Sequence, residues 1–168
     1  MDKAQYVLTI DTDLLGSYLT PVEHKKMFSK TRNPEGDMSK LVSFESLYSM
    51  TGSNADERFR IRPSEQIKVV VGIISELINK GRVSDSAARD LVNRFKNSFK
   101  GFQPFEAGLL GRVADELWAN RGKSVVAVGG LPTQTGLGLD LQVATNYLNS
   151  ILGNDGKTID YERSAHNS

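Results

Sequence analysis

Short apolar strand-like runs, separated by stretches long enough to form helices, constrain this chain more than any other feature. Tyr6-Val7-Leu8-Thr9-Ile10, Lys40-Leu41-Val42-Ser43-Phe44-Glu45 and Ser124-Val125-Val126-Ala127-Val128 are rich in β-branched and aromatic residues, which is how strands buried in a sheet read. The usual solution for strands joined through helices is a parallel sheet covered on both faces. The pattern therefore predicts an α/β fold, mainly parallel and Rossmann-like, with helices on both faces.

The helical stretches carry their own punctuation. Pro21 opens one that runs to about Thr31. Ser64 and Glu65 open a second, with Ile67, Val70, Val71, Ile74, Leu77 and Ile78 at helical spacing and Gly81 to close it. Further helices are expected from Ser84 through Phe95, from Pro104 to about Asn120, and from Asp140 to Leu152. Gly153-Asn154-Asp155-Gly156 stops the last, and Thr158 to Tyr161 reads as a final short strand. Residues 1–161 form one domain in this reading, and 162–168 a polar tail.

Composition narrows the function. Twenty-one Lys and Arg against twenty Asp and Glu leave a net charge of +1, without the basic field that draws a protein onto nucleic acid. With no cysteine, the chain holds no disulfide, thiolate zinc site, cysteine-ligated iron-sulfur cluster or cysteine nucleophile. No run has the length of a transmembrane helix, so direct membrane insertion is not expected. At 168 residues, folding buries roughly two thirds of the accessible surface, enough for stability without metal or disulfide.

Four places invite a ligand. Asp11 and Asp13 stand where the first strand opens into a loop, a common position for catalytic or metal-binding carboxylates, but the sequence places no histidine or second carboxylate cluster beside them, and the alternative role is capping the loop. Arg58, Arg60 and Arg62 fall on one side of an extended segment and, with Thr51, Asn54 and Asp56 in the preceding small-residue loop, could meet an anion; a solvated or subunit-facing surface is the alternative. Gly129 and Gly130 follow the strand 124–128, where ligands of open α/β sheets sit, but lack the spacing of a dinucleotide fingerprint. Gly153-x-x-Gly156-Lys157-Thr158 is too short for a phosphate loop and follows a helix instead of a strand, so it reads as a helix stop. His24 and His166 have no catalytic partner in the sequence and read as solvated. No catalytic residue and no metal ligand set is assigned.

Two blocks together resemble a known family. Asp11-x-Asp13-Leu14-Leu15-Gly16 with Phe44-Glu45-Ser46-x-x-x-Met50-Thr51-Gly52-x-x-Ala55-Asp56-x-Arg58-x-x-x-Arg62-Pro63-Ser64-Glu65 is one. Val125-Val126-Ala127-Val128-Gly129 with Asn149-x-x-Leu152-Gly153-Asn154-x-Gly156-Lys157-Thr158 is the other. They are similar to the molybdopterin-oxidoreductase-like region of the large iron-sulfur subunit of alternative complex III, a quinol:electron-acceptor oxidoreductase of bacterial respiratory chains whose relatives include hydrogenase-like molybdopterin proteins. Glu57 stands where relatives often carry histidine, and residues 80–105 match nothing in that family.

The resemblance implies a fragment of a periplasm-facing subunit, membrane-associated through partner subunits, with iron-sulfur clusters elsewhere in the parent. It implies that Asp11, Asp13, Thr51, Asn54, Asp56, Arg58, Gly129 and Gly130 border a vestigial pterin pocket. It favours a cofactor-free structural domain, one that presents an apolar surface where the rest of the subunit packs. The competing expectations are a molybdopterin-binding part of an active oxidoreductase and a free-standing nucleotide- or sugar-binding α/β protein.

Overall fold

A computed structural model describes residues 2–36, 38–99, 106–130 and 133–160, the side chain of Ser98 excepted. Four strands form one parallel sheet: β1 (Tyr6–Ile10), β2 (Lys40–Glu45), β3 (Glu57–Arg60) and β4 (Ser124–Val128), in the order β3-β2-β1-β4. Six helices connect and cover them: α1 (Pro21–Lys30), α2 (Met50–Ser53), α3 (Gln66–Asn79), α4 (Ser86–Phe95), α5 (Leu109–Ala119) and α6 (Gly138–Ile151). The fold is Rossmann-like α/β, as the alternation of elements requires. In register, Tyr6 lies beside both Lys40 and Ser124, and Ile10 beside both Phe44 and Val128.

The two faces of the sheet are covered unequally. On one, α3, α5 and α6 bury Leu8, Ile10, Val42, Phe44, Val126 and Val128 in the larger core. On the other, Phe28 of α1 packs with Val7, Leu41, Leu14 and Leu15, and Val125 and Ala127 of β4 are only half covered. Helix α3 is the hub of the large core: nine of its fourteen residues are buried, Gln66 among them. A helix that apolar holds its place through burial on several sides.

Several boundaries differ from the sequence reading for local reasons. The fourth strand, β3, lies where only an extended segment was expected; its Glu-Arg-Phe-Arg sequence suits an edge position. Before α3, a single 3-10 turn at Pro63–Glu65 replaces a Ser64 cap, because the Glu65 carboxylate accepts the Arg62 backbone N–H at 2.8 Å. Asp85, not Ser84, caps α4 by accepting the Ala87 N–H at 3.1 Å. Helix α5 begins at Leu109, after Gly108 in a left-handed conformation; Pro104 and Phe105 lie outside the described residues. Near the end of the chain Ile159 forms an isolated bridge with Asp155 where a strand was expected, and Tyr161 and the tail 162–168 lie outside the described residues.

Candidate functional site

In a parallel sheet of this order the chain leaves β1 to one side and β4 to the other, which opens the crevice where open α/β folds bind ligands. Three buried or half-buried carboxylates stand at this carboxyl end, and each reaches sideways into a neighbouring loop.

Asp11, the first residue after β1, is buried and adopts a left-handed backbone (φ 49°), a conformation that Asp tolerates better than most residues. Its Oδ1 accepts the Ser46 backbone N–H at 2.5 Å and the Ser46 hydroxyl at 2.9 Å, and its Oδ2 accepts the Gln66 side-chain amide at 2.5 Å. One side chain thereby joins the ends of β1 and β2 to the first turn of α3. Asp13 Oδ1 accepts the Thr51 N–H at 3.0 Å and the Thr51 hydroxyl at 2.9 Å, while Thr51 Oγ1 accepts the Leu15 N–H at 2.9 Å. Glu45, at the end of β2, accepts the Ser49 hydroxyl at 2.6 Å and is paired with the Arg58 Nε. The guanidinium of Arg58 also lies over the Tyr48 ring, 4.6 Å from its centre. Gly52 lets α2 approach that closely: a β-carbon there would collide with the Glu45 carboxylate.

The structure divides the residues singled out in the sequence. Asp11, Asp13, Thr51 and Arg58 share the carboxyl end, tied into this network. Asn54 is exposed and bonds its own helix, donating to the Met50 carbonyl at 2.8 Å. Asp56 lies at the opposite end of the sheet, because the short β2–β3 connection has already returned to where β3 begins. There it accepts the Leu41 N–H at 2.7 Å and pairs through both oxygens with Arg32 at 2.8 Å. Burial works against ionisation of Asp56, but the Arg32 and Leu41 bonds outweigh it and hold its carboxyl below the usual range. Arg60 and Arg62 are exposed at the end of β3. Gly129 and Gly130 do flank the crevice, and its wall there is aromatic: a β-carbon on Gly129 would lie 2.5–2.7 Å from atoms of the Tyr18 ring.

A pyrophosphate-bearing pterin makes a specific demand on such a place. Such a group needs N–H and guanidinium donors facing it. Between β1 and β4 the described residues present Asp11, Asp13 and the Tyr18 ring. Of the arginine row, Arg58 is turned onto Glu45. The arrangement cross-braces the loops, and no group of three or more potential metal ligands occurs among the described residues.

Two features went unread in the sequence. The first is the treatment of the β4 edge. Asn149 of α6 accepts the Val126 N–H at 3.0 Å and donates to the Val126 C=O at 2.8 Å, as a neighbouring strand would. Buried Asn154 donates to Asn149 Oδ1 at 3.0 Å and accepts the Ser124 hydroxyl at 3.1 Å, and the Thr158 hydroxyl donates to the Ser124 carbonyl at 2.5 Å. The block Asn149 to Thr158 is thus a side-chain seal on a sheet edge. Its signal was Asn149 in the last turn of an apolar helix and Asn154 just beyond the helix stop.

The second is a lack of charge. Residues 14–22, 46–55 and 129–139, the segments that come after β1, β2 and β4 in the sequence, contain no Asp, Glu, Lys, Arg or His, in a chain of which 24% is charged. A stretch of that combined length at ordinary usage would carry about seven.

At the other end of the sheet, Glu57 pairs with Lys40 at 2.6 Å and with Arg112 at 2.5 Å, and Glu116 pairs with Lys40 at 2.8 Å and accepts the Tyr6 hydroxyl at 2.8 Å. The Arg112 bond, reinforced by Lys40, pulls the Glu57 carboxyl down to about 2. Burial and then Glu116 push the Tyr6 phenol well above its ordinary value. These are the marks of a structural ion-pair network between β2, β3 and α5. No helix among the described residues is long and apolar enough to cross a membrane. Neither a family model nor a curated protein matches this chain.

Proposed function

We propose that this chain is a structural, cofactor-free, molybdopterin-oxidoreductase-like domain of a respiratory quinol:electron-acceptor oxidoreductase subunit. The observation that carries the reading is the use made of the strand-end carboxylates. Asp11, Asp13 and Glu45 are spent on Ser46, Gln66, Thr51, Ser49 and Arg58, and Tyr18 covers Gly129. A site that holds a ligand keeps converging polar groups for it; here they converge on one another. Electron transfer belongs, in this reading, to iron-sulfur clusters elsewhere in a periplasm-facing parent that is held at the membrane by partner subunits.

The test is metal and cofactor analysis of the full-length protein purified from its native host, with molybdenum, tungsten, iron and released pterin quantified per subunit. The scaffold reading expects iron without stoichiometric pterin, molybdenum or tungsten. Stoichiometric pterin with either metal overturns it in favour of an active molybdopterin site. A preparation with neither iron nor pterin removes the respiratory assignment and leaves a free-standing α/β protein.

A further inference from the structure

The amino end of the sheet holds a second concave place, on the side of α1. Asp2, Lys3, Lys30, Thr31, Ser39 and Lys123 line a cleft of about 350 Å³ there. Its three lysines come from three separate stretches of chain, ahead of β1, at the end of α1 and ahead of β4, and all three are exposed. None of their ammonium groups has an ion-pair partner among the described residues. Elsewhere, cations that come together share carboxylates: Lys40 meets Glu57 and Glu116, and Lys80 and Arg82 share Asp115. Cations gathered in a concave place without such partners repel one another and focus a positive field into it.

We infer that this cleft binds a phosphate group, carried as a phosphomonoester or pyrophosphate. Its walls are fixed by the sheet: the Gln5 N–H donates to the Lys123 carbonyl at 2.7 Å, the Lys40 N–H to the Gln5 carbonyl at 2.8 Å, and the Ser39 N–H to the Thr31 carbonyl at 3.0 Å. Thr31 gives both its backbone N–H and its hydroxyl to the Phe28 carbonyl, at 3.0 and 2.9 Å. That occupies a carbonyl at the negative end of α1, which would otherwise oppose an anion. The Ser39 hydroxyl is likewise used, on Thr31 Oγ1 at 2.8 Å, so the ammonium groups are the donors left for a ligand. Asp2 offsets one of the three positive charges and leaves an excess of two. A phosphate group carries about two negative charges and three acceptor oxygens, one for each ammonium, whereas a carboxylate offers one charge and two oxygens. Lysine serves such a group as a point charge on a flexible stem. The cleft is near the lower limit of ligand pockets, which suits a small phosphate compound or a single headgroup. This inference needs no part of the scaffold reading, since the cleft lies at the end of the sheet opposite Asp11 and Asp13.

The experiment is isothermal titration calorimetry of the full chain with inorganic pyrophosphate. One site per chain is expected, with a dissociation constant below about 1 mM at low salt that weakens as ionic strength rises. Lys30→Gln and Lys123→Gln should each weaken it at least about fivefold, and together abolish it, because each removes a charged donor. Arg89→Gln, the same loss of charge on an exposed residue of α4, should leave it unchanged. All these side chains are exposed, so circular dichroism should show every variant folded. Amine acetylation read by mass spectrometry should find Lys3, Lys30 and Lys123 protected by pyrophosphate, and exposed Lys25 not. Flotation with phosphatidylcholine vesicles that contain phosphatidic acid separates the two sources of the group. Flotation that the double lysine variant loses assigns it to a lipid headgroup; pyrophosphate binding without flotation assigns it to a soluble phosphate compound. No binding of pyrophosphate up to about 10 mM overturns the inference, as does binding that the double variant retains or that Arg89→Gln weakens equally.

Discussion

A buried polar side chain is stable only when its hydrogen bonds are made, so the residues that seal β4 are the most exacting in this molecule. Asn149 supplies both halves of a missing strand partner to Val126 and holds Asn154 as well. Asn149→Leu keeps the bulk and removes all of these bonds. Urea unfolding should register a loss of about 2–4 kcal/mol, from several buried groups left unpaired at once; a loss under about 1 kcal/mol would show that water replaces the amide freely. Gly129 makes a different demand, for space. Gly129→Ala drives a methyl group into the Tyr18 ring and should cost about 1–3 kcal/mol. Tyr18→Ala in the same chain should recover part of that loss, giving a non-additive double-mutant cycle. Additive effects would mean that the ring moves aside without resistance.

Among the elements, short connections decide which side chains meet. The β2–β3 crossover contains only the one-turn helix α2, yet it carries Thr51 to the carboxyl end and Asp56 to the amino end of the sheet. This separation of residues five apart in sequence was invisible to a reading that grouped them as one loop. Thr51 clamps α2 to the loop after β1 through Asp13. Asp13→Ala should therefore speed amide exchange at Leu15 and Thr51 well above the rest of the core, and unchanged protection there would show that the clamp is dispensable. The ion-pair network between β2, β3 and α5 has a pH signature. Glu57 has a folded-state pKa of about 2 against an ordinary 4.5, so its contribution is fully present above about 4.5 and lost as pH falls toward 2. Glu57 is partly exposed, which screens its pairs, so Glu57→Gln should cost about 1 kcal/mol at pH 7. Thermal melts of the variant and parent chains should converge as pH approaches 2; a difference that stays constant with pH would assign the effect to packing instead.

For the whole molecule, sequence and structure divide along the line between local and non-local interactions. Apolar period and strand-helix alternation depend on neighbours in the chain, and they determined the α/β class, three of the four strands, and the course of α1, α3, α4 and α6 to within a few residues. The lack of charge in residues 14–22, 46–55 and 129–139 was also written in the sequence. What the tertiary structure alone decided is the use of each polar residue. Whether Asp11, Asp13, Arg58 and Asp56 bind a ligand or bind the protein depends on groups 13 to 55 positions away, which come into reach only when a parallel sheet fixes its strand order. Hydrogen bonds act over about 3 Å, and nothing in the local pattern of a chain states which residues will lie that close.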